Sequence, residues 1–482
     1  MTASPRAPRS SRSTGAPRRL HLNAFLMTGG HHEAAWRLPG ADPRAGTDVD
    51  HFIDLARTAE RGTFDAIFFA DSPVLGGEVG RRPSGGLEPL TLLSAIAVAT
   101  ERIGLIATAS TSYNSPYNLA RRFASLDHIS HGRVGWNIVT TATLDAARNF
   151  GLEELPAHED RYRRAEEFLD VVRSLWSGWE ADAVLADQEA AVWGDAAKVH
   201  ATDHVGTYYR VAGPLNVQRS PQVHPVLVQA GSSEAGRDLA ARTAEAVFTA
   251  HQRLEDAVAF AADVRRRAVA HGRDPEGVKI LPGLVPVIGA TEAEAREKEQ
   301  ELNDLVHPRY ALTQLTRTLR LPEGSLGLDD RLPEDLPTED QIEGAKSRYT
   351  LIVDLARRED LTVRELIGRL AGGRGHRTLA GTPEQIADAL QSWFEAGAAD
   401  GFNIMPAVLP SGLTEFVDQV VPILRERGLF RTEYEATTLR GHYGLGLPAE
   451  PERPGAPSAA PVASPAAPAP GFGRPLAEAG TR

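Results

Sequence analysis

The sequence predicts an α/β protein built as one (β/α)8 TIM barrel with insertions. Three observations point there: eight short apolar runs bounded by turn residues, helix-period segments between them, and amides and hydroxyls gathered where the runs end. The runs are "LHLNAFL" (20–26), "FDAIFFAD" (64–71), "IGLIATAS" (103–110), "RVGWNIVT" (133–140), "HPVLVQAG" (224–231), "AEAVFTA" (244–250), "VKILPGLVPVIG" (278–289) and "GFNIMPAV" (401–408). Their near-continuous apolar character suits strands covered on both faces, as in a parallel sheet. Among the helices, "TDVDHFIDLARTAERG" (47–62) opens on a hydroxyl suited to capping and closes on glycine. In "RYRRAEEFLDVVRSLW" the residues Tyr162, Ala165, Leu169, Val172 and Trp176 fall three or four apart, on one stripe. "GTPEQIADALQSWFEAG" (381–397) sets Pro383 in a first turn and Gly397 at the end. Eight strands alternating with helices fit a closed barrel better than an open doubly wound sheet, the rival arrangement.

The 482 residues suffice for such a barrel and its insertions, expected at about 181–222 and 290–380. The second of these carries the acidic, turn-rich "LPEGSLGLDDRLPEDLPTED", which suits a lid or binding segment. Residues 1–17 and 448–482 read as disordered tails, the first rich in Ser, Pro and Arg, the second in Pro and Ala. That leaves 18–447 as a single folded domain. A formal net charge of −12 excludes the broad basic surface of a nucleic-acid-binding protein. No run approaches the length of a membrane span. With no cysteine, thiolate nucleophiles, disulfides and cysteine-ligated metals are excluded. Arg18-Arg19 is followed by too short and polar a stretch for an export signal, so a cytoplasmic protein is expected.

In a barrel of this kind the chemistry gathers at the carboxyl ends of the strands. There the second run ends in Asp71, the third in Thr108 and Ser110, the fourth in Asn137 and Thr140, and the fifth in Gln229, Ser232 and Ser233. Any one of these also suits helix capping; together they suit a polar ligand. "QAGSSEAGRDLAA" (229–241) has a strand, a glycine turn, two serines and a helix start, which aims backbone N–H groups at an anion. It has neither the Walker lysine nor the Rossmann glycine spacing. "HEDRY" (158–162) opens a helix with His158, Arg161 and Tyr162 on one face, an awkward cationic first turn that a bound anion relieves. "GGHHEAAWR" places His31, His32 and Trp36 after the first strand as pocket candidates, without the second histidine of a zinc-protease motif, and no metal site is expected. Asp65 and Asp71 belong to opposite ends of one strand, which argues against a glycosidase carboxylate pair.

Taken together, "GGHHEAAWR", "FFADS", "TASTSYNSPYNLARRFASLDHISHGRVGWNIVT", "NFG", "HEDRY", "GPLNVQRSPQVHPVLVQAGSSEAGRDLAA" and "DGFNIMP" resemble the bacterial luciferase-like FMN-dependent monooxygenases. The similarity is to the branch that holds the nitrilotriacetate monooxygenase, the pristinamycin synthase and the dibenzothiophene-sulfone monooxygenase, and it runs from about Leu20 to Leu447. It implies a barrel that takes reduced FMN from a separate NAD(P)H-dependent flavin reductase, with O2 as second substrate, and oxygenates a small organic compound. A homo-oligomer, dimer or tetramer, is expected with it. Carried over by motif, Asp71 and Thr108 lie near the flavin ring and ribityl chain, and Asn137 bonds the ring edge. His158 and Tyr162 reach toward the ribityl-phosphate, and Ser232 and Ser233 bind the phosphate. The resemblance names no catalytic acid or base. Two other readings stay open: an F420-dependent oxidoreductase on the same barrel, and a non-catalytic flavin-binding protein.

Overall fold

Parallel pairing passes from strand to strand around a complete circle. The strands are β1 (His21–Phe25), β2 (Ala66–Phe69), β3 (Gly104–Ser110), β4 (Val134–Val139), β5 (Val226–Gln229), β6 (Ala246–Thr249), β7 (Lys279–Ile288) and β8 (Gly401–Ile404). Registers such as Asn23 with Ala66, Thr108 with Asn137 and Ala246 with Lys279 carry the pairing forward, and His21 with Gly401 closes it. This is the expected (β/α)8 barrel. The computed structural model describes residues 18–75, 79–338, 341 and 346–448; the expected tails, apart from residue 448, lie outside the described residues.

The principal helices are α1 (Val49–Arg61), α2 (Pro89–Ala99), α3 (Pro116–Ile129), α4 (His158–Trp176), α5 (Glu234–Thr243) and α6 (Leu254–Ala270). They continue with α7 (Glu292–Asp304), α8 (Pro308–Thr318), α9 (Lys346–Arg358), α10 (Val363–Gly373) and α11 (Pro383–Glu395). The cap of α1 is Asp48, whose side chain accepts from the Asp50 N–H, one residue beyond the expected hydroxyl; a carboxylate there also meets the helix dipole. On α11, Thr382 and Gln385 form a capping box with Pro383 in the first turn, and Gly397 takes φ +75° just past the end.

Strand β4 shows how a core strand carries an amide. Its side chains alternate across the sheet. Trp136 points outward and packs against Phe123, Phe168 and Trp176 at 5.7, 6.0 and 6.2 Å, while its indole N–H donates to the Ala109 carbonyl at 3.0 Å. Gly135 and Asn137 turn toward the barrel axis. Inside, Phe25, Phe68 and Phe248 meet edge-on at 4.7 to 5.7 Å and form a hydrophobic layer.

Below that layer the barrel is plugged from its amino-terminal end. Leu439 and Tyr443, from the short helix Leu439–His442 and the residue after it, are fully buried, and the Tyr443 hydroxyl donates to Asn23 at 2.8 Å. Gly104 makes room for the plug: a Cβ there would stand 2.5 Å from Leu439 and 2.7 Å from the Asp65 carbonyl oxygen. Gly104→Ala is therefore expected to cost about 1–3 kcal/mol, read as a lower melting temperature. With this end closed, ligands have access from the carboxyl ends.

Both long connections carry structure. Residues 184–211 hold two antiparallel pairs, Val184–Asp187 with Val192–Gly194 and His204–Val205 with Arg210–Val211. Glu167 of α4 anchors the second pair, accepting from the Tyr208 and Tyr209 backbone N–H groups and meeting His204 at 3.0 Å. Residues 290–380 supply α7 to α10, then a further parallel strand, Arg377–Gly381, paired with the second half of β7. Among the described residues no helix is long and apolar enough to cross a membrane.

Candidate functional site

A cavity of about 460 Å³ opens over the ends of β4, β5 and β6. His158, Tyr162, Ser232 and Ser233 line it from the barrel rim; Arg348, Leu351, Arg374 and His376, from α9 and the segment after α10, line it from the insertion. The chain thus brings together residues far apart in sequence because α4 and α5 both begin at this rim.

The first turn of α4 places His158 and Tyr162 side by side, ring centroids 4.8 Å apart. Its N-cap is Ala157, whose side chain has no acceptor, so no side chain caps the positive end of the helix. Across the cavity, the loop from β5 to α5 is shaped by Gln229, which accepts from the Gly231 N–H at 2.6 Å. Ser233 is the N-cap of α5; its oxygen accepts from the Gly236 N–H at 3.2 Å, leaving its hydroxyl hydrogen to donate. Ser232 stands one residue earlier, lines the same cavity, and has no capping duty. Two helix N-termini, two serine hydroxyls, a histidine and a tyrosine phenol make a donor set suited to a phosphate dianion.

Asn137 and Thr108 do not line this cavity, although Ile138, next to Asn137, does. Asn137 is 4% exposed and donates from Nδ2 to the Thr108 hydroxyl at 2.8 Å across the β3–β4 register. Its Oδ1 is buried without a hydrogen-bond partner among the described residues. A buried acceptor left unpaired costs about 1–3 kcal/mol, which a ligand N–H repays. A ring bearing an N–H edge, linked to a phosphate, fits both features. The residues present therefore fit FMN.

The other sequence-predicted residues are placed differently. Asp71 stands exposed beyond the end of β2 and does not line the cavity. His31 is buried beneath Phe25, with ring centroids 4.6 Å apart and Nε2 at 2.9 Å from the Phe25 carbonyl oxygen. Burial, then the Arg374 charge, push its pKa down to about 3. His32 meets Asn303 at 3.2 Å, and burial pushes it down to about 4. Both are neutral at physiological pH. Neither they nor the half-buried Trp36 line the cavity.

Sequence reasoning missed Arg348, Arg374 and His376. They lie inside 290–380, a stretch read from its acidic, turn-rich segment as an insertion, which holds four helices and a strand. His376 stacks flat on Phe248, centroids 4.9 Å apart and planes 2° apart, and burial, then the Arg348 charge, push it down to about 3.

A (β/α)8 barrel with donors suited to a phosphate gathered at the carboxyl ends of its strands has the architecture of a cofactor-binding barrel enzyme. The chain belongs to the luciferase-like monooxygenase family, whose model matches residues 31–400. It is 47% identical over 447 residues to nitrilotriacetate monooxygenase component A of Aminobacter aminovorans, covering 90% of this chain and 98% of that one. To N-acetyl-S-(2-succino)cysteine monooxygenase of Bacillus subtilis (strain 168) it is 48% identical over 437 residues, with 90% and 98% covered. A solved riboflavin lyase with modified FMN and riboflavin superposes with a TM-score of 0.79 at 33% identity, covering 89% of this chain and 97% of that one.

Proposed function

We propose that this monooxygenase is the oxygenase of a two-component system: it takes reduced FMN from a separate NAD(P)H-dependent flavin reductase and uses O2 to oxygenate a small organic substrate. One observation carries this reading, the convergence of His158, Tyr162, Ser232 and Ser233 on one cavity; the unpartnered oxygen of Asn137, next to the cavity-lining Ile138, supports it. The kinship with nitrilotriacetate monooxygenase component A and the FMN of the solved riboflavin lyase support it.

In this reading Ser232, Ser233 and the N-termini of α4 and α5 hold the phosphate, and Tyr162 and His158 flank it. Asn137, steadied by Thr108, orients the ring from its edge. Bound FMN supplies the oxygen-activating chemistry, and the chain supplies binding, orientation and exclusion of water. The insertion residues Leu351 and His376 line the cavity together with the barrel residues, adding apolar and neutral aromatic surface that suits the exclusion of water. Asp71, outside this cavity, serves the flavin only if the ring extends toward β2. A cytoplasmic homo-oligomer goes with the proposal; Leu185, Val192 and Trp193 expose apolar side chains on one antiparallel hairpin, a surface suited to self-association.

The test is reconstitution with a flavin reductase, NADH and FMN. Substrate-dependent oxygen uptake with an oxygenated product by mass analysis is expected; binding of flavin without any product across a broad panel contradicts it. FMN is expected to raise the melting temperature where F420 does not. Asn137→Ala is expected to weaken flavin binding about tenfold, the worth of one buried hydrogen bond, measured by fluorescence titration.

A further inference from the structure

A second cavity, of about 230 Å³, lies between the segment after β1 and helices α8, α9 and α10. Arg348 and Arg374 line it and also line the flavin-site cavity, so the two spaces share a wall of guanidinium groups. Arg82 lines the second cavity as well, within 3.4 Å of the Tyr310 hydroxyl. Against these three cations stands one carboxylate, Glu33, among the described residues lining either cavity. Arg374 is held at the end of α10 with φ +50°, a left-handed conformation that a side chain adopts at a cost, and its Nε is buried without a hydrogen-bond partner.

Like charges crowd here. Burial, then the Arg82 charge, push Arg374 down to about 10, with Arg348 adding to the same effect. It remains charged at neutral pH. Its histidine neighbours His31 and His376 are neutral, so no proton can be shed to relieve the repulsion. What relieves it is an anion, and the planar fork of arginine matches a carboxylate in two-point contact. Apolar side chains from Leu315, Ile352 and Leu370 complete the walls and suit a carbon skeleton.

We propose that Arg348 and Arg374, backed by Arg82, form a carboxylate-binding subsite, and that the substrate is a small organic di- or tricarboxylate lodged across the two cavities. This rests on the flavin reading above. The flavin phosphate is the other source of the same oxyanion chemistry. It is less suited to the arginines, because the two serines and the N-terminus of α4, which no side chain caps, already offer a phosphate site, whereas no serine lines the second cavity.

The experiment titrates the full chain, with FMN present, with iminodiacetate, thiodiglycolate and tricarballylate, and with their methyl esters, by calorimetry. At least one free acid is expected to bind and its ester to bind at least about tenfold more weakly. Arg82→Gln, which lines only the second cavity, is expected to lower that affinity about tenfold while leaving FMN affinity within about twofold; Arg348→Gln and Arg374→Met should lower it at least as much. Retained melting temperature identifies a folded variant, and Arg82→Gln keeps the test decisive should Arg374→Met misfold. The proposal is overturned if all three acids bind no better than their esters, or if the variants lose FMN affinity in parallel, which assigns the arginines to the cofactor phosphate. Failure of the flavin reading is separate: it appears as absent FMN binding by the unaltered chain.

Discussion

Asp65→Asn is expected to cost about 3–5 kcal/mol of folding stability at neutral pH, because it leaves a buried guanidinium without its counter-charge. Asp65 is fully buried just before β2. It accepts from the Leu22 N–H at 2.7 Å, meets His21 at 3.0 Å and pairs with Arg431 at 2.9 Å. It thereby ties β1 and β2 to the C-terminal segment that plugs the barrel. Burial pushes its carboxyl up, but the Arg431 and His21 charges outweigh that and hold its pKa down at about 2. A depressed carboxyl stabilises the fold above its unfolded pKa, near 4, and loses that contribution as pH falls toward 2. The contribution is about 2 kcal/mol. Urea unfolding should show a lower midpoint for Asp65→Asn at pH 7. Between pH 4 and pH 2 the unaltered chain should lose stability more steeply than the variant; parallel curves would contradict the assignment.

Ser232→Asp is expected to weaken FMN binding by about a hundredfold or more, since it replaces a hydroxyl donor by a carboxylate facing the phosphate dianion. The melting temperature of the chain without flavin should hardly move, because Ser232 neither caps α5 nor is deeply buried. Ser233→Ala makes the contrast. It removes the bond to the Gly236 N–H, so it should cost about 1 kcal/mol of stability, with a smaller loss of flavin affinity. Fluorescence titration and thermal melts separate the two effects. Equal flavin affinity in Ser232→Asp and the unaltered chain would remove the phosphate from this rim.

How far the sequence carried depended on how local the determining physics was. The barrel strands were legible because burial on both faces writes itself as an apolar run, and the helices because capping and a 3.6-residue stripe are local patterns. The turn at "QAGSSEAG" and the first turn of "HEDRY" were legible for the same reason. The strand Arg377–Gly381 was not. It is short and half-buried, and it exists because β7 runs on past the barrel and offers an unpaired edge. His31 and His32 read as rim residues from their place after β1, yet the chain folds them inward, where the Phe25 carbonyl and Asn303 take their ring nitrogens.

By itself, then, the amino-acid order determined the closed barrel, the end at which ligands gather and the two rim segments suited to a phosphate, each written within a dozen neighbouring residues. Only the tertiary structure decided that Ser233 is committed to a helix cap while Ser232 is not. It alone left the Asn137 oxygen buried and unmatched, and set Arg348 and Arg374 on a shared wall between two cavities. The reason is physical: hydrogen-bond saturation and charge crowding depend on distances between remote parts of the chain, which no local pattern encodes.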